Sequence, residues 1–285
     1  MLSQFLASWP LFQQAYMTAW LSAMLLALLG VLAVARDQIF LGAAVSQAAT
    51  LGIAVALVLR KWSTGFLGTW WQSDAALATA AMGFAVLATL LSTQQPRPGD
   101  LSAEARTGWV FLGSASCTML LVAHSPHGLA EIQRLLSSSL IGATRTDVRI
   151  FAGCLLGAVL GFSLGWQRIL LLIMDPALAP ATGMRVSRWS LGLSISLGLV
   201  VGLSIRATGL LYTFGCLVLP ALVAKHLCRE VRPLFLVAPS VALGTSVLAC
   251  VLAEATDSPP AQMTVALLWL LTGLTWCLRR LRGRQ

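Results

Sequence analysis

Long apolar runs separated by short polar breaks fill almost the whole chain. Each run is near the roughly 20 residues that an apolar helix needs to cross a bilayer. The breaks include Arg36-Asp37, Arg60-Lys61-Trp62 and the turn Asp257-Ser258-Pro259-Pro260. The pattern predicts nine transmembrane helices, at about 15–35, 39–59, 72–91, 107–123, 148–165, 189–205, 207–227, 233–253 and 261–278.

The composition supports a membrane protein. Of the 285 residues, 58% are hydrophobic and 10% are charged, whereas a soluble domain carries about 25% charged residues. Because so little charge cannot cover a water-soluble globule, a soluble enzyme and a disordered chain are both excluded. The predicted fold class is all-α, a polytopic transmembrane helical bundle, and residues 1–285 are expected to form a single transmembrane domain.

Charged residues lie at the ends of the apolar runs. The formal net charge is +9, but Lys and Arg are placed as orientation in a lipid membrane requires, and nothing in this arrangement indicates a nucleic-acid partner. With an external N-terminus, most of the 19 Lys and Arg residues fall in inside loops. This predicts a multi-pass protein of the plasma (inner) membrane with a cytoplasmic C-terminus.

All ten acidic residues lie at predicted span ends or in loops. Since a carboxylate at membrane depth is the usual sign of a proton or cation path, this distribution argues against a proton-coupled transporter. The polar groups at depth are neutral: Ser46, Gln47 and Thr50 on the second span, and Cys117 with its Ser and Thr neighbours on the fourth. They either form hydrogen bonds between helices or line a substrate path.

The fifth span carries Gly153, Gly157, Gly161 and Gly165, which share one helix face because they recur every four residues. Such a face lets another helix approach closely, either within the bundle or at a dimer interface. The same span matches GxSxG at Ser163, but a nucleophile elbow needs a preceding strand and a nearby base. Neither is predicted, so intramembrane hydrolysis is disfavoured and the chain is not expected to be an enzyme.

The loop after the fifth span contains a short helix signal at 175–183. Asp175 suits an N-cap, Pro176 suits the first helical position and Gly183 suits a C-terminal cap. A short capped helix either docks into a groove of another protein or is a simple turn.

Four phrases in sequence order resemble the integral permeases of zinc, manganese and iron ABC importers. Residues 40–52 follow the family frame F-G-D-x-L-S/A-H-A-x-L-x-G, and residues 175–183 are similar to its D-P-E-L-A-x-x-x-G segment. Residues 216–225 are similar to L-L-I-I-P-A-A-T-A-R, and residues 257–259 correspond to a D-x-P turn before the last span. The resemblance covers nearly the whole chain.

The resemblance implies an all-α permease that pairs with a second permease copy, binds a cytoplasmic ABC ATPase and receives substrate from an extracytoplasmic binding protein. The chain contains no GxxxxGK[ST] loop, so ATP would be used by the partner subunit, and no cofactor is expected on this chain. Under the resemblance, coupling to the ATPase falls to Asp175, Pro176, Leu178, Ala179 and Gly183.

The second span departs from the family at its metal-handling pair. The family's Asp and His are replaced by Ala43 or Ala44 and by Gln47, although dications prefer carboxylate, His or Cys ligands. We expect a divalent metal permease whose path is lined by neutral donors. The alternatives are a permease for a metal chelate or another small solute, one half of a heterodimer whose partner supplies the acids, and a non-transport membrane scaffold.

Overall fold

The computed structural model describes residues 2–36, 38–62, 73–93, 102–123, 142–174 and 184–282. This part of the chain contains no strand, which confirms the all-α prediction. Its nine helices are α1 (Leu2–Ala35), α2 (Ile39–Trp62), α3 (Asp74–Thr93), α4 (Ala103–Ala123), α5 (Arg145–Met174), α6 (Val186–Thr208), α7 (Leu210–Leu227), α8 (Val231–Thr256) and α9 (Pro260–Arg282).

Eight of these helices are long and apolar enough to cross a membrane, and α4 is the exception. It begins with Glu104 and Arg106 and carries several Ser, Thr and Gly residues. Nevertheless α4 runs alongside α2: the rings of Phe40 and Phe111 are 5.1 Å apart between centroids, and Ala54 packs with Val122 further along both helices. Because α2 is long enough to span, α4 extends over a comparable depth.

Side-chain hydroxyl groups cap the N-termini of three of these helices. At the start of α5, the Thr144 hydroxyl donates to Asp147 Oδ2 over 2.8 Å, and the Asp147 amide donates back to the Thr144 hydroxyl over 3.3 Å. Ser73 and Ser102 accept from backbone amides at the starts of α3 and α4. Each cap satisfies an amide that would otherwise lack a partner within the first turn.

Three predicted helix boundaries are wrong. The first helix was expected to begin at about residue 15, but α1 begins at Leu2. The break between the sixth and seventh helices was expected at Arg206, but α6 continues to Thr208 and ends at Gly209, whose φ of 84° is accessible to glycine at little cost. The fifth helix was expected to end at Gly165 and instead continues to Met174, because the residues after Gly165 include no Pro or further Gly to interrupt it.

The helices divide between two compact units. The first contains α1, α5, α7, α8 and α9, and the second contains α2, α3, α4 and α6.

In the first unit, contacts between α1 and its neighbours show the helix directions. The Tyr212 hydroxyl of α7 donates to the Ala19 carbonyl of α1 over 2.8 Å, and further along Gly30 of α1 lies against Leu217. These helices are therefore parallel. The Tyr16 hydroxyl near the middle of α1 donates to Glu254 near the end of α8, and the last turn of α1 lines one cavity with the first turn of α8, so α8 is antiparallel to both.

In the second unit, α6 packs against α3 through two glycines. A Cβ at Gly198 would lie 2.6 Å from the Val86 Cα, and one at Gly202 would lie 2.6 Å from the Met82 Cα. Because the contacts run in opposite senses along the two helices, α3 and α6 are antiparallel. In both units the helix directions inferred from these contacts fit a chain that crosses the membrane in alternating directions.

Glycine is required most strictly at Gly30. A Cβ there would overlap the Leu217 carbonyl oxygen, whereas a Cβ at Gly83 on α3 would meet nothing within 4 Å. Lipid is as apolar as the helix surfaces, so helices in a membrane associate largely through such close packing.

We expect Gly30→Ala to lower stability by at least about 3 kcal/mol, because the backbone of α1 or of α7 would have to shift to make room for the added methyl group. The matched change Gly83→Ala should leave stability unchanged or raise it by up to about 1 kcal/mol, through helix propensity alone. Thermal unfolding of the purified variants in detergent compares the two, and equal midpoints would contradict the α1–α7 contact.

Candidate translocation path

The polar phrase of α2 is largely buried. Ser46 and Thr50 are 1% and 2% exposed, and Gln47 is half-buried. The Thr50 hydroxyl donates to the Ser46 carbonyl over 3.0 Å. The Ser46 hydroxyl is buried and has no hydrogen-bond partner among the described residues, a state that costs about 1–3 kcal/mol when nothing else satisfies it.

This property does not single out Ser46 by itself. The hydroxyls of Ser92 on α3 and Ser204 on α6 are also buried without a partner in the described part of the chain. What distinguishes Ser46 is its neighbour Gln47, whose side-chain carbonyl adds a second neutral oxygen donor one residue along the same helix.

The fourth helix presents its polar groups on two different sides. Its buried residues are Thr107, Val110, Ser114, Thr118 and Val122, and this stripe lies on the side that packs against its neighbours in the second unit. The Thr118 hydroxyl returns to the Ser114 carbonyl over 2.7 Å. Cys117 is exposed, so the structure does not bring its thiol together with Ser46, Gln47 and Thr50.

Three of the four glycines on α5 have open space beside them. A Cβ at Gly153, Gly157 or Gly161 would meet nothing within 4 Å, and the neighbouring Leu164 is 89% exposed. Gly165 is buried. Packing inside the described chain therefore does not account for the first three glycines, and contact with a second copy remains as a prediction.

Ser163 makes no nucleophile elbow. It lies inside α5, where its hydroxyl donates to the Leu160 carbonyl over 2.8 Å. A serine inside a helix commonly donates in this way to a backbone carbonyl of the preceding turn. The predicted coupling residues at 175–183 lie outside the described residues.

Sequence reasoning missed the pairing between Tyr16 and Glu254. Glu254 was expected, with the other acidic residues, at a span end or in a loop; it lies on the last turns of α8, half-buried, and accepts from the Tyr16 hydroxyl. The ring of Tyr16 stacks on those of Trp9 and Trp20, with centroids 6.0 and 6.4 Å away, and the two tryptophan rings are themselves 5.8 Å apart. The aromatic spacing of four to seven residues along α1 was the available signal, because it places these rings on one face.

The described residues contain no group of three or more His, Cys, Asp and Glu side chains that could hold a metal ion. A dication on α2 would therefore meet oxygen donors without charge, the Ser46 hydroxyl and the Gln47 amide carbonyl. Such ligands suit hard or borderline ions such as Mn²⁺ better than soft ones, and they would bind an ion weakly.

Comparison with known proteins identifies the family of this chain. The model of the ABC 3 transport family matches residues 8–277. The chain belongs to the ABC 3 transport family. Members are membrane subunits of transporters, in agreement with a multi-span chain that is not itself an enzyme.

Two similar proteins carry names that refer to manganese. The manganese import system permease protein ScaB of Streptococcus gordonii is 23% identical over 236 residues, which cover 83% of this chain and 80% of ScaB. The manganese transport system membrane protein MntC of Halalkalibacterium halodurans is 23% identical over 225 residues, covering 79% of this chain and 72% of MntC.

The fold is similar to a solved structure. PsaBC from Streptococcus pneumoniae, solved in complex with Fab, matches with a TM-score of 0.79 at 18% identity, over 97% of this chain and 95% of that chain. This agreement confirms the predicted fold class.

We expect Ser46→Ala to leave the thermal midpoint unchanged or slightly raised, because it removes a buried hydroxyl that has no partner in the described chain. Thr50→Val should lower stability by about 1 kcal/mol through loss of its bond to the Ser46 carbonyl. Both are measured by thermal unfolding in detergent. A large loss of stability in Ser46→Ala would mean that this hydroxyl has a structural partner.

Proposed function

We propose that this chain is the permease subunit of an ABC importer that carries a divalent metal ion, manganese before zinc or iron, across the cytoplasmic membrane. The observation that carries the proposal is the family match over residues 8–277 together with relatives named as manganese permeases over most of their length. The neutral oxygen donors on α2 favour the same ion class.

In this mechanism the ion passes Ser46 and Gln47 on α2. Gln47 stands where the family frame carries its His, and Ser46 precedes it, whereas the family's Asp is replaced by Ala43 or Ala44. A hydroxyl and an amide carbonyl replace part of the ion's hydration shell without trapping it, because neither carries a charge. Weak binding favours passage, since an ion must leave a path as readily as it enters.

The permease works with other subunits. A separate cytoplasmic ATPase would bind at 175–183, an extracytoplasmic binding protein would deliver the ion, and a second copy of the permease would complete the path. The open glycine face of α5, at Gly153, Gly157 and Gly161, supports contact with a second copy because another helix could approach it closely. The C-terminus, with its arginines, would lie in the cytoplasm.

The proposal is tested by uptake into proteoliposomes that contain the permease, its ATPase and its binding protein. We expect ATP-dependent accumulation of free Mn²⁺ above that of Zn²⁺, Fe²⁺ or a chelated metal. Accumulation of the chelate alone would replace the ion by a metal complex as substrate, and no ATP-dependent uptake of any of the four would overturn the transport function.

Variants of α2 test the path itself. We expect the double change Ser46→Ala and Gln47→Ala to reduce Mn²⁺ uptake by about tenfold or more, corresponding to about 1.4 kcal/mol of lost ion stabilisation, with thermal stability retained. Ser204→Ala is the matched control, because Ser204 is equally buried and equally without a partner in the described chain. Equal uptake by the double variant and the wild type would place the path elsewhere.

The coupling segment is tested by comparing ATP hydrolysis with uptake. We expect Asp175→Ala and Gly183→Leu to reduce uptake while the assembled complex still hydrolyses ATP, because a disturbed cap and C-terminus would weaken the short helix that transmits ATPase motion. Gln167→Ala, an exposed position on α5, serves as the control. Normal uptake by both coupling variants would refute the assignment of 175–183.

A further inference from the structure

A cavity of about 240 Å³ lies in the first unit where four helices end or begin together. It is formed by the last turns of α1, α5 and α7 and by the turn that leads into α8. Its lining residues are Val31, Val34, Ala35, Ile173, Ala221, Lys225, Cys228, Arg229, Glu230, Val231 and Leu234. No residue to which a role was assigned above is among these lining residues.

The lining has two chemically distinct parts. Most of it is apolar and comes from the helices, whereas Lys225, Arg229 and Glu230 come from the end of α7 and the following turn. These three charged residues are exposed. Among the described residues, the cavity is therefore an apolar chamber with a polar rim that carries two cations, Lys225 and Arg229, and one carboxylate, Glu230.

Further positive charge surrounds the rim. Arg36 directly follows the lining residue Ala35 and is half-buried, and burial lowers the pKa of its guanidinium. Arg279 of α9 donates from Nη1 to the Lys225 carbonyl over 3.4 Å. Arg232 is exposed one residue beyond Val231. An anion at the rim would thus meet several cations within one helix turn of the cavity.

The position of the cavity limits its occupant. It lies at the ends of membrane-spanning helices, where lipid headgroups meet water, and on the side that the Lys and Arg count predicts to be cytoplasmic. An occupant must be apolar where it contacts Val31, Val34 and Leu234, and anionic where it contacts Lys225 and Arg229. The volume is about eight times the roughly 30 Å³ that one water molecule takes up in the liquid, which suits a phosphate and the first part of an attached chain.

We propose that this cavity binds one anionic phospholipid, with its phosphate between Lys225 and Arg229 and the start of an acyl chain against Val31, Val34 and Leu234. Charge complementarity selects the anionic lipid, because basic pockets between transmembrane helices bind acidic headgroups. The apolar chamber selects a lipid over a free anion. The lipid would join the ends of α1, α5, α7 and α8, the four helices whose residues line the cavity.

The test is native mass spectrometry of the delipidated full-length chain in detergent, titrated with phosphatidylglycerol, with phosphatidylcholine of the same acyl chains, or with inorganic phosphate. We expect one phosphatidylglycerol to be retained per chain at concentrations where phosphatidylcholine is not. Lys225→Gln with Arg229→Gln should weaken its retention by roughly 10- to 30-fold, since each basic residue contributes to attraction at an anionic surface.

Arg185→Gln with Arg188→Gln is the matched control. It removes the same charge from exposed residues on the predicted cytoplasmic side, outside the cavity lining, and should leave retention unchanged. A second variant, Ala35→Leu, keeps every charge and fills part of the apolar chamber, so it should also weaken retention.

The proposal is overturned by phosphatidylglycerol retention that survives the Lys225 and Arg229 changes or falls equally in the control. Equal retention of phosphatidylcholine would remove the anionic specificity, and displacement of the lipid by an equal concentration of inorganic phosphate would make the cavity a free-anion site. Thermal midpoints of all variants show that each is folded. Because the readout is lipid retention without transport, its failure is distinct from a failure of the proposed import function.

Discussion

Close backbone contact between helices is the constraint on which this molecule depends. Lipid offers no hydrophobic driving force for helix association, so stability comes from packing at short distance and from a few hydrogen bonds. Gly30 lies directly on the backbone of α7, and Gly198 and Gly202 lie on the backbone of α3. Each contact requires the absence of a Cβ, which is why a chain of modest sequence complexity specifies particular helix pairs.

The same constraint explains how polar groups are distributed. Most hydroxyls return to a carbonyl of their own helix, as Thr50 and Thr118 do, and so place no demand on a neighbour. Other hydroxyls join helices: Tyr212 reaches Ala19, Tyr16 reaches Glu254, and Thr93 of α3 meets Ser194 of α6. Against this background Ser46, Ser92 and Ser204 have buried hydroxyls without a partner in the described chain, and of the three only Ser46 is followed by a second oxygen donor of the amide class, Gln47.

Sequence reasoning predicted the helices well because each depends on local features. Apolar runs of sufficient length, and the Asp257 turn, are readable without knowing the neighbours. The break at Gly209 was missed because the charged Arg206 was taken as the boundary between the two helices. In the structure α6 is instead ended by Gly209, which has a positive φ. Charge predicts which side of the membrane a loop occupies, but the backbone conformation determines where the helix ends.

The candidate site was predicted less well, because it depends on which face of a helix is covered. Ser46 and Cys117 are both polar and both at membrane depth, yet one is buried and the other exposed. Only the packing of α4 through Ser114 and Thr118 distinguishes them. Three of the α5 glycines likewise matched a packing motif without a partner in the described chain.

Basic residues at helix ends have two physical consequences that are easily confused. The number of basic residues on each side predicts how the chain is oriented in the membrane, and a basic residue elsewhere at the same end serves this purpose equally well. Lys225 and Arg229 differ from Arg185 and Arg188 because they surround an apolar cavity, so their position as well as their charge matters. A site exists where cations and an apolar chamber coincide, and this coincidence requires the ends of four helices to meet, which no local pattern in the sequence encodes.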